Sequence, residues 1–356
     1  MTTPDLFETA SPAETKRQIM GGKPVFTVPA KTVINFKSKF DKKLLCDGIT
    51  FTAGSACVYS CAFCYVEDMM RKQQEWNSKH GVTGDHFSHV VRRANAVEIA
   101  RKQLLSKGYV RNGKPFFRGE KKVIYASPTV DVAANMELVK ETVEICKVIL
   151  ELTNWDIRLL SKSNLLPKVA EALEKWSAHG HQNPDSKSRI IYGVSTGTLD
   201  DRIARAFEQG TPLVSKRIES LHWLQDNGFR TFGMICPSLP QEDYIQFAKE
   251  IYQAIRGERC EGYWTEVINL RGESFDRTVK ALKDSGFNHD AGELREVSLN
   301  KLAWEAYARA TFSAHAEVLR GQKSPDGAPK LKHLQYVTKD TRDWWAARQN
   351  EGAILL

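Results

Sequence analysis

GITFTAGSACVYSCAFCY, residues 48–65, is a β-branched run that passes directly into a loop carrying Cys57, Cys61 and Cys64, three of the seven cysteines in the chain. At this cysteine frequency, three thiols at one fixed pair of spacings arise by chance in roughly 0.003 of such sequences, so the loop demands an explanation. The run that precedes it is the first of a series. GITFTA (48–53), KVIYAS (122–127), DIRLLS (156–161), RIIYGVS (189–195), RTFGMIC (230–236) and YWTEVINL (263–270) are short apolar segments, and longer amphipathic stretches separate them. Helical periods cover 135–152, 165–176, 214–226 and 244–256, with Asn164 and Asp243 as expected N-caps and Gly228 where a C-cap is wanted.

This alternation is the signature of βα units on a mostly parallel sheet. Six units are too few to close an eight-stranded barrel, so the expected fold is α/β, a partial (βα)6 TIM-type barrel with an N-terminal extension and a C-terminal helical segment. The boundaries follow: a basic extension over 1–47, the barrel over 48–290, and a helical extension packed on it over 291–356. Two helices, near 66–80 and 85–107, and the basic loop RNGKPFFRGEKK fill the stretch between the cysteine loop and the second strand. Another long helix is expected at about 296–320. Ligands of parallel βα folds gather at the C-terminal ends of the strands, and the cysteine loop directly follows strand one. It therefore sits at the expected functional rim.

Bulk properties narrow the class. The 356 residues are 42% hydrophobic and 26% charged, as in an ordinary globular protein. No apolar run is long enough to span a bilayer, and the N-terminus MTTPDLFETA lacks a basic-then-apolar layout, so a cytoplasmic protein is expected. An odd number of cysteines in a chain this large argues for thiols kept reduced, for metal or chemistry, rather than for disulfide staples. The net charge of +8 suits a polyanionic partner, though it also serves solubility.

Three chemistries compete for the cysteine loop. Zinc takes four ligands drawn as two separated pairs, and no second pair stands at such spacing; His179 and His181 could complete a site, but histidines in a polar insertion are more often simply solvated. A redox pair would use Cys61 and Cys64 as C-x-x-C and leave Cys57 idle. An iron–sulfur cluster uses all three, because thiolates are the ligands cluster irons prefer, and three on a cubane leave one iron open for chemistry.

The pattern Cys57-x3-Cys61-x2-Cys64 followed by the aromatic Tyr65, after the first of six βα units, resembles the radical S-adenosylmethionine (SAM) superfamily. CAFCYVEDMM, WDIRLLSKSNLL and VSTGTLDDRIARAFEQGTPLVSKRIESLHWLQDNGFRTFGMICPSLP are similar to its spore photoproduct lyase-like, or DNA repair photolyase-like, branch, over about residues 48–270. The resemblance implies that Cys57, Cys61 and Cys64 hold a [4Fe–4S] cluster whose free iron binds S-adenosyl-L-methionine. An electron from the cluster then cleaves SAM to a 5′-deoxyadenosyl radical, with a reductant such as flavodoxin or ferredoxin as its source. It further implies SAM contacts from Tyr65, Ser127, Thr129, Asp131, Lys162, Ser195 and Thr196. Bland alternatives stand beside them: Asp131 as a helix cap, Lys162 as a surface lysine at a helix start, and Thr198 as an N-cap.

The departures from the branch carry information too. Its hydrogen-return relay uses a cysteine beside strand two and a pair of tyrosines flanking the last cluster cysteine. This chain has Pro128 and Phe63 there, so only Tyr65 survives, and a phenylalanine has no O–H to give. Cys236, at the end of strand five, is the remaining candidate donor, against a buried structural role. A DNA or RNA substrate would find phosphate contacts in the lysine-rich N-terminus (Lys31, Lys37, Lys39, Lys42, Lys43), in YVRNGKPFFRGEKK and in KLKHLQYVTKDTRDWW. The tryptophan pair in the last of these reads more simply as a packing anchor. Two other functions remain open: a radical SAM enzyme acting on a peptide or small metabolite, and a non-catalytic iron–sulfur protein.

Overall fold

The computed structural model describes residues 19–108, 110–111, 114–115, 121–126, 128–180, 184–270 and 273–356. Eight strands run parallel and pair in chain order: β1 (Ile49–Phe51), β2 (Val123–Ala126), β3 (Asp156–Ser161), β4 (Ile190–Ser195), β5 (Arg230–Ser238), β6 (Cys260–Val267), β7 (Leu331–Gln335) and β8 (Ala353–Leu355). A short antiparallel strand, Ile34–Asn35, borders β1. The first six strands are those expected. The last two fall inside the segment expected to be a helical extension, so that segment continues the sheet instead of merely packing on it.

Alternation explains both cores. One face of the strands contributes Tyr125, Ile191, Phe232, Met234, Trp264 and Leu334 to a single cluster, with Leu160, Cys236 and Ile354 packed against it. Residues from seven strands meet this way only if the sheet curls on itself, which makes an open TIM-type barrel. The opposite face, including Ile124, Ile157, Leu159, Tyr192, Val194 and Tyr263, meets the outer helices. Parallel strands covered on both faces read as near-continuous apolar runs, and RIIYGVS is one.

Besides the one-turn helix Ser186–Arg189, the helices are α1 (Val66–Lys79), α2 (Ala96–Ser106), α3 (Met136–Leu152), α4 (Leu166–His179), α5 (Asp201–Phe207), α6 (Val214–Asp226), α7 (Tyr244–Ala254), α8 (Ser274–Asp284), α9 (Asn288–Ser298), α10 (Lys301–Val318) and α11 (Arg342–Ala346). Asp243 caps α7 as expected, accepting from Gln246 N at 2.9 Å, and Gly228 adopts the left-handed conformation just past α6. Asn164 does not cap α4; Ser163 Oγ accepts the Leu165 N–H at 3.0 Å in the turn before it. The stretch expected to be helical over 85–107 divides into a strand, Val90–Ala94, and α2. That strand joins Lys23–Pro29, Ile19–Met20 and Gly54–Ala56 in a small sheet beside the barrel. The helix expected over 296–320 is two, α9 and α10, broken at Asn300, whose side chain caps α10.

The barrel's open seam lies between β8 and the first strands. Residues 39–46 occupy it: the 3-10 turn Lys39–Lys43 packs on β8, and Phe40, Leu45 and Cys46 enter the barrel core. Arg158 Nη1 donates to Leu44 O and Leu45 O at 3.0 and 2.7 Å, and Trp264 Nε1 donates to Lys43 O at 3.0 Å. The C-terminal tryptophans are a packing anchor: Trp345 is fully buried, stacked on His333, with Nε1 donating to Glu305 at 2.6 Å. Lys330 and Lys332 are buried as well, along with all of 330–335, which removes the first part of KLKHLQYVTKDTRDWW from any docking surface. Among the described residues no helix is long and apolar enough to cross a membrane.

Candidate active site

The cysteine loop is held by its backbone on two sides. Gly54–Ala56 pairs with Val90–Ala94, and Ser60–Cys61 pairs antiparallel with Glu208–Gln209, with Cys61 opposite Glu208. Ala62 N donates to Phe207 O at 2.8 Å, and Cys64 N donates to Cys61 O at 3.0 Å. From α8, Arg277 donates to the carbonyls of Ala62 and Cys64 at 3.2 and 3.0 Å. Cys61 is buried, and Cys57 and Cys64 are half-buried. Burial, then the Asp131 charge, pushes the Cys57 thiol up to about 12. Burial and Glu208 push Cys61 well up, and burial raises Cys64 against the pull of the Val66 N–H and Arg277. A metal bound by these thiols would displace their protons.

Behind the loop, the C-terminal ends of β2 to β5 form one polar network. Asp131 accepts from Ser161 Oγ at 2.7 Å and from the backbone N–H of Lys162 and Ala133 at 2.7 and 2.9 Å. Burial raises its carboxyl above the ordinary range despite those bonds. Lys162 Nζ donates to Glu208 Oε1 at 2.6 Å, Ser195 Oγ at 3.0 Å and Cys236 O at 3.3 Å. Arg217, fully buried, places Nη1 2.5 Å from the other Glu208 oxygen. Burial opposes the Glu208 charge, but the two cations outweigh it and hold the carboxyl below its ordinary range.

The structure therefore brings Asp131, Lys162 and Ser195 together, and it shows Lys162 paired rather than lying at the surface. Thr129 Oγ1 donates to Gly54 O and lies in hydrogen-bond contact with Thr52 Oγ1, both at 2.8 Å, so it ties β2's end to the start of the cysteine loop. Thr196 Oγ1 donates to Thr198 O at 2.6 Å within its own turn. Asp200, not Thr198, caps α5. Tyr65 is half-exposed, with its hydroxyl donating to Pro128 O at 3.3 Å. Ser127 and His181 lie outside the described residues, and His179 is exposed, bonded only within α4.

Inside the barrel mouth Cys236 Sγ lies 3.7 Å from Glu266 Oε2, and Lys43 Nζ grips Glu266 at 3.0 and 3.1 Å. Burial and Glu266 push the Cys236 thiol up to about 12. For Lys43 burial works against the charge, but Glu266 outweighs it and holds the ammonium above its ordinary range. Phe63 fills the floor, with its ring 5.6 Å from that of Phe207 and 5.2 Å from Lys162 Nζ.

Among the described residues no three Cys, His, Asp or Glu side chains converge on a point fit for a single metal ion. A cubane needs no such convergence, because each thiolate takes a different iron. The donor set fits the cubane. Three soft thiols on one loop feel one another's charge, while Cys46, Cys146, Cys236 and Cys260 belong to other segments of the chain.

No protein-family model matches the sequence, and no curated protein matches it. Solved structures do match. A tyrosine-to-phenylalanine variant of spore photoproduct lyase aligns over 88% of this chain and 82% of its own, with a TM-score of 0.56 at 11% identity. The chain has the spore photoproduct lyase fold. A cysteine-to-serine variant of the same lyase gives a TM-score of 0.51 at 12% identity, and spore photoproduct lyase complexed with dinucleoside spore photoproduct gives 0.50 at 12%. Each of these two aligns with 73% of this chain, which spans 66% of theirs. The fold expected from the cysteine loop and its strands is borne out at this level.

Sequence reasoning missed Glu208, Arg217, Glu266 and Arg277. Glu208 is a lone acid in FEQG, Glu266 sits inside an apolar strand, and Arg277 is one of many helix cations; no local spacing marks any of them. Lys43 was visible only as one of five clustered lysines.

Proposed function

We propose that the chain is a radical SAM enzyme in which Cys57, Cys61 and Cys64 bind a [4Fe–4S] cluster. The observation that carries this reading is the placement of three thiols together on the loop that leaves β1 at the C-terminal rim of an open parallel barrel. When bound, the cluster and SAM would supply a 5′-deoxyadenosyl radical for hydrogen abstraction. Tyr65, Thr129, Asp131, Lys162, Ser195 and Thr196, with Ser127 beside them in sequence, are assigned to the SAM side of the site. The Glu208–Lys162–Ser195 network fixes the strand ends there, so the site is organised before ligand arrives.

We assign the substrate to nucleic acid, for lyase-like repair or modification of a lesion. Lys31, Lys37, Lys39 and Lys42 are exposed on the segment that leads to Lys43 at the mouth, and Lys339 is exposed just past β7. A lesion must leave the base stack to reach a site sunk in a barrel. Cys236 is assigned as the hydrogen donor: its raised pKa keeps an S–H rather than a thiolate, and Glu266 holds it at the mouth. Phe63 and Pro128 leave the branch's own relay with Tyr65 alone, which favours, as a second reading, a different radical SAM product on a peptide or small metabolite.

The test is direct. Protein reconstituted without oxygen and reduced with dithionite should convert SAM to 5′-deoxyadenosine, and Cys57→Ala, Cys61→Ala or Cys64→Ala should each abolish the conversion. A protein that assembles no cubane absorption or spin signal sinks the reading. Salt-sensitive binding of single-stranded DNA supports the substrate class, because phosphate contacts release counterions, whereas binding indifferent to salt overturns it.

A further inference from the structure

From outside the barrel strands, one side chain holds two carbonyls of the cysteine loop. Arg277, on α8, donates from Nε to Ala62 O at 3.2 Å and from Nη2 to Cys64 O at 3.0 Å, while Nη1 pairs with Glu67 Oε2 at 2.8 Å. Those two carbonyls bracket Phe63, inside the tight turn whose Cys64 N–H returns to Cys61 O at 3.0 Å. The Phe87 ring covers the guanidinium at 4.9 Å, and the side chain is about a quarter exposed. A planar fork with five donors can hold two carbonyls and a carboxylate at once; a lysine ammonium cannot reproduce that spread.

We propose that Arg277 is a positioning residue of the cluster loop, with two separable effects. Its fork sets the turn that aims Cys61 and Cys64 toward a common cluster, and its charge, bonded to the Cys64 carbonyl, favours the reduced and more negative state of that cluster. The first effect belongs to geometry and the second to charge. Groups that orient metal ligands in this way typically contribute roughly 10–100-fold to metal retention. The proposal rests on the radical SAM reading above, and the experiment separates the two.

Arg277→Gln and Arg277→Lys are compared with the parent protein after anaerobic reconstitution. Three quantities are read: iron and sulfide per chain, the rate of cluster loss to a chelator, and the midpoint potential from a spectroscopic titration. Arg277→Gln should lose the cluster at least roughly tenfold faster and show a more negative potential. Arg277→Lys should also lose it faster but keep a potential near the parent's, since the charge stays. Apo-protein circular dichroism and urea midpoints report whether either variant has lost its fold instead. Full cluster retention and an unchanged potential in well-folded Arg277→Gln overturn the proposal while leaving the radical SAM reading intact. A parent protein that assembles no cluster overturns that reading itself.

Discussion

Glu208 faces Cys61 across a two-stranded antiparallel pairing, and the same carboxylate closes on Lys162 at 2.6 Å and Arg217 at 2.5 Å. One buried acid thus ties the cysteine loop to the ends of β3 and β4. Glu208→Gln would leave two buried cations without their counter-charge, and removing one partner of such a group costs about 3–5 kcal/mol. Urea unfolding at pH 7 should show that loss. The sign with pH follows: the folded carboxyl is held low, so its contribution is present above the ordinary carboxylate range and is lost as pH falls through the folded value. A urea midpoint within error of the parent's would contradict the argument.

Buried neutral histidines set a second acid boundary. His315 and His333 both lie in the core between barrel and C-terminal segment, bonded through Nδ1 to Tyr263 OH at 3.1 Å and Thr265 Oγ1 at 2.8 Å, with both Nε2 atoms buried and unpartnered. Burial lowers each ring from 6.5 to about 3. A lowered histidine pKa means that the unfolded chain binds the proton first. Stability is therefore full above the unfolded value and falls as pH drops from there toward 3, with a slope approaching about 1.4 kcal/mol per pH unit for each ring. Denaturant midpoints at pH 7.5 and 5 should differ in the parent protein and differ less in His333→Asn; equal slopes in the two would refute the assignment.

Most of the barrel was legible because its strands are buried on both faces. DIRLLS and RIIYGVS match β3 and β4 to within a residue, since unbroken β-branched runs have few other homes. What escaped detection lacked that pattern. LKHLQ is fully buried as β7 yet carries Lys332, whose ammonium is held by Ser324 and Pro329, and His333, whose Nδ1 bonds Thr265 on β6, and β8 spans only three residues. VVRRA read as part of a helix because its strand character comes from pairing with Lys23–Pro29, some sixty residues upstream. In the site, the cysteines announced themselves by spacing. Glu208, Glu266 and Arg277 did not, because their roles exist only where three segments converge.

Cys236 and the cluster should be separable in the proposed reaction. The thiol lies 3.7 Å from Glu266 and is not one of the three proposed cluster ligands, so Cys236→Ala leaves those ligands in place. Its 5′-deoxyadenosine yield should stay near the parent's, while finished product from a DNA lesion substrate falls by at least about one order of magnitude, roughly 1.4 kcal/mol in barrier. Liquid chromatography with mass detection reads both. Undiminished product would remove Cys236 from the chemistry and return it to the core.

Gly197 tests how tightly the strand ends must meet. A Cβ built there would stand 1.8 Å from Pro237 O and 2.7 Å from Pro237 C, a collision with backbone that no rotamer relieves. The contact joins the turn after β4 to β5 beside Ser195 and Cys236, whose carbonyl accepts from both Ser195 Oγ and Lys162 Nζ at 3.3 Å. Gly197→Ala must push the two strand ends apart, at an expected cost of about 1–3 kcal/mol from forced backbone shifts. The same displacement pulls Cys236 O from its donors, so SAM affinity should weaken along with stability. Calorimetry of SAM binding on the reconstituted protein, set beside a urea titration, measures the two together. Weakened stability with unchanged SAM affinity would show that the β4–β5 junction is scaffold alone and lies outside the cofactor site.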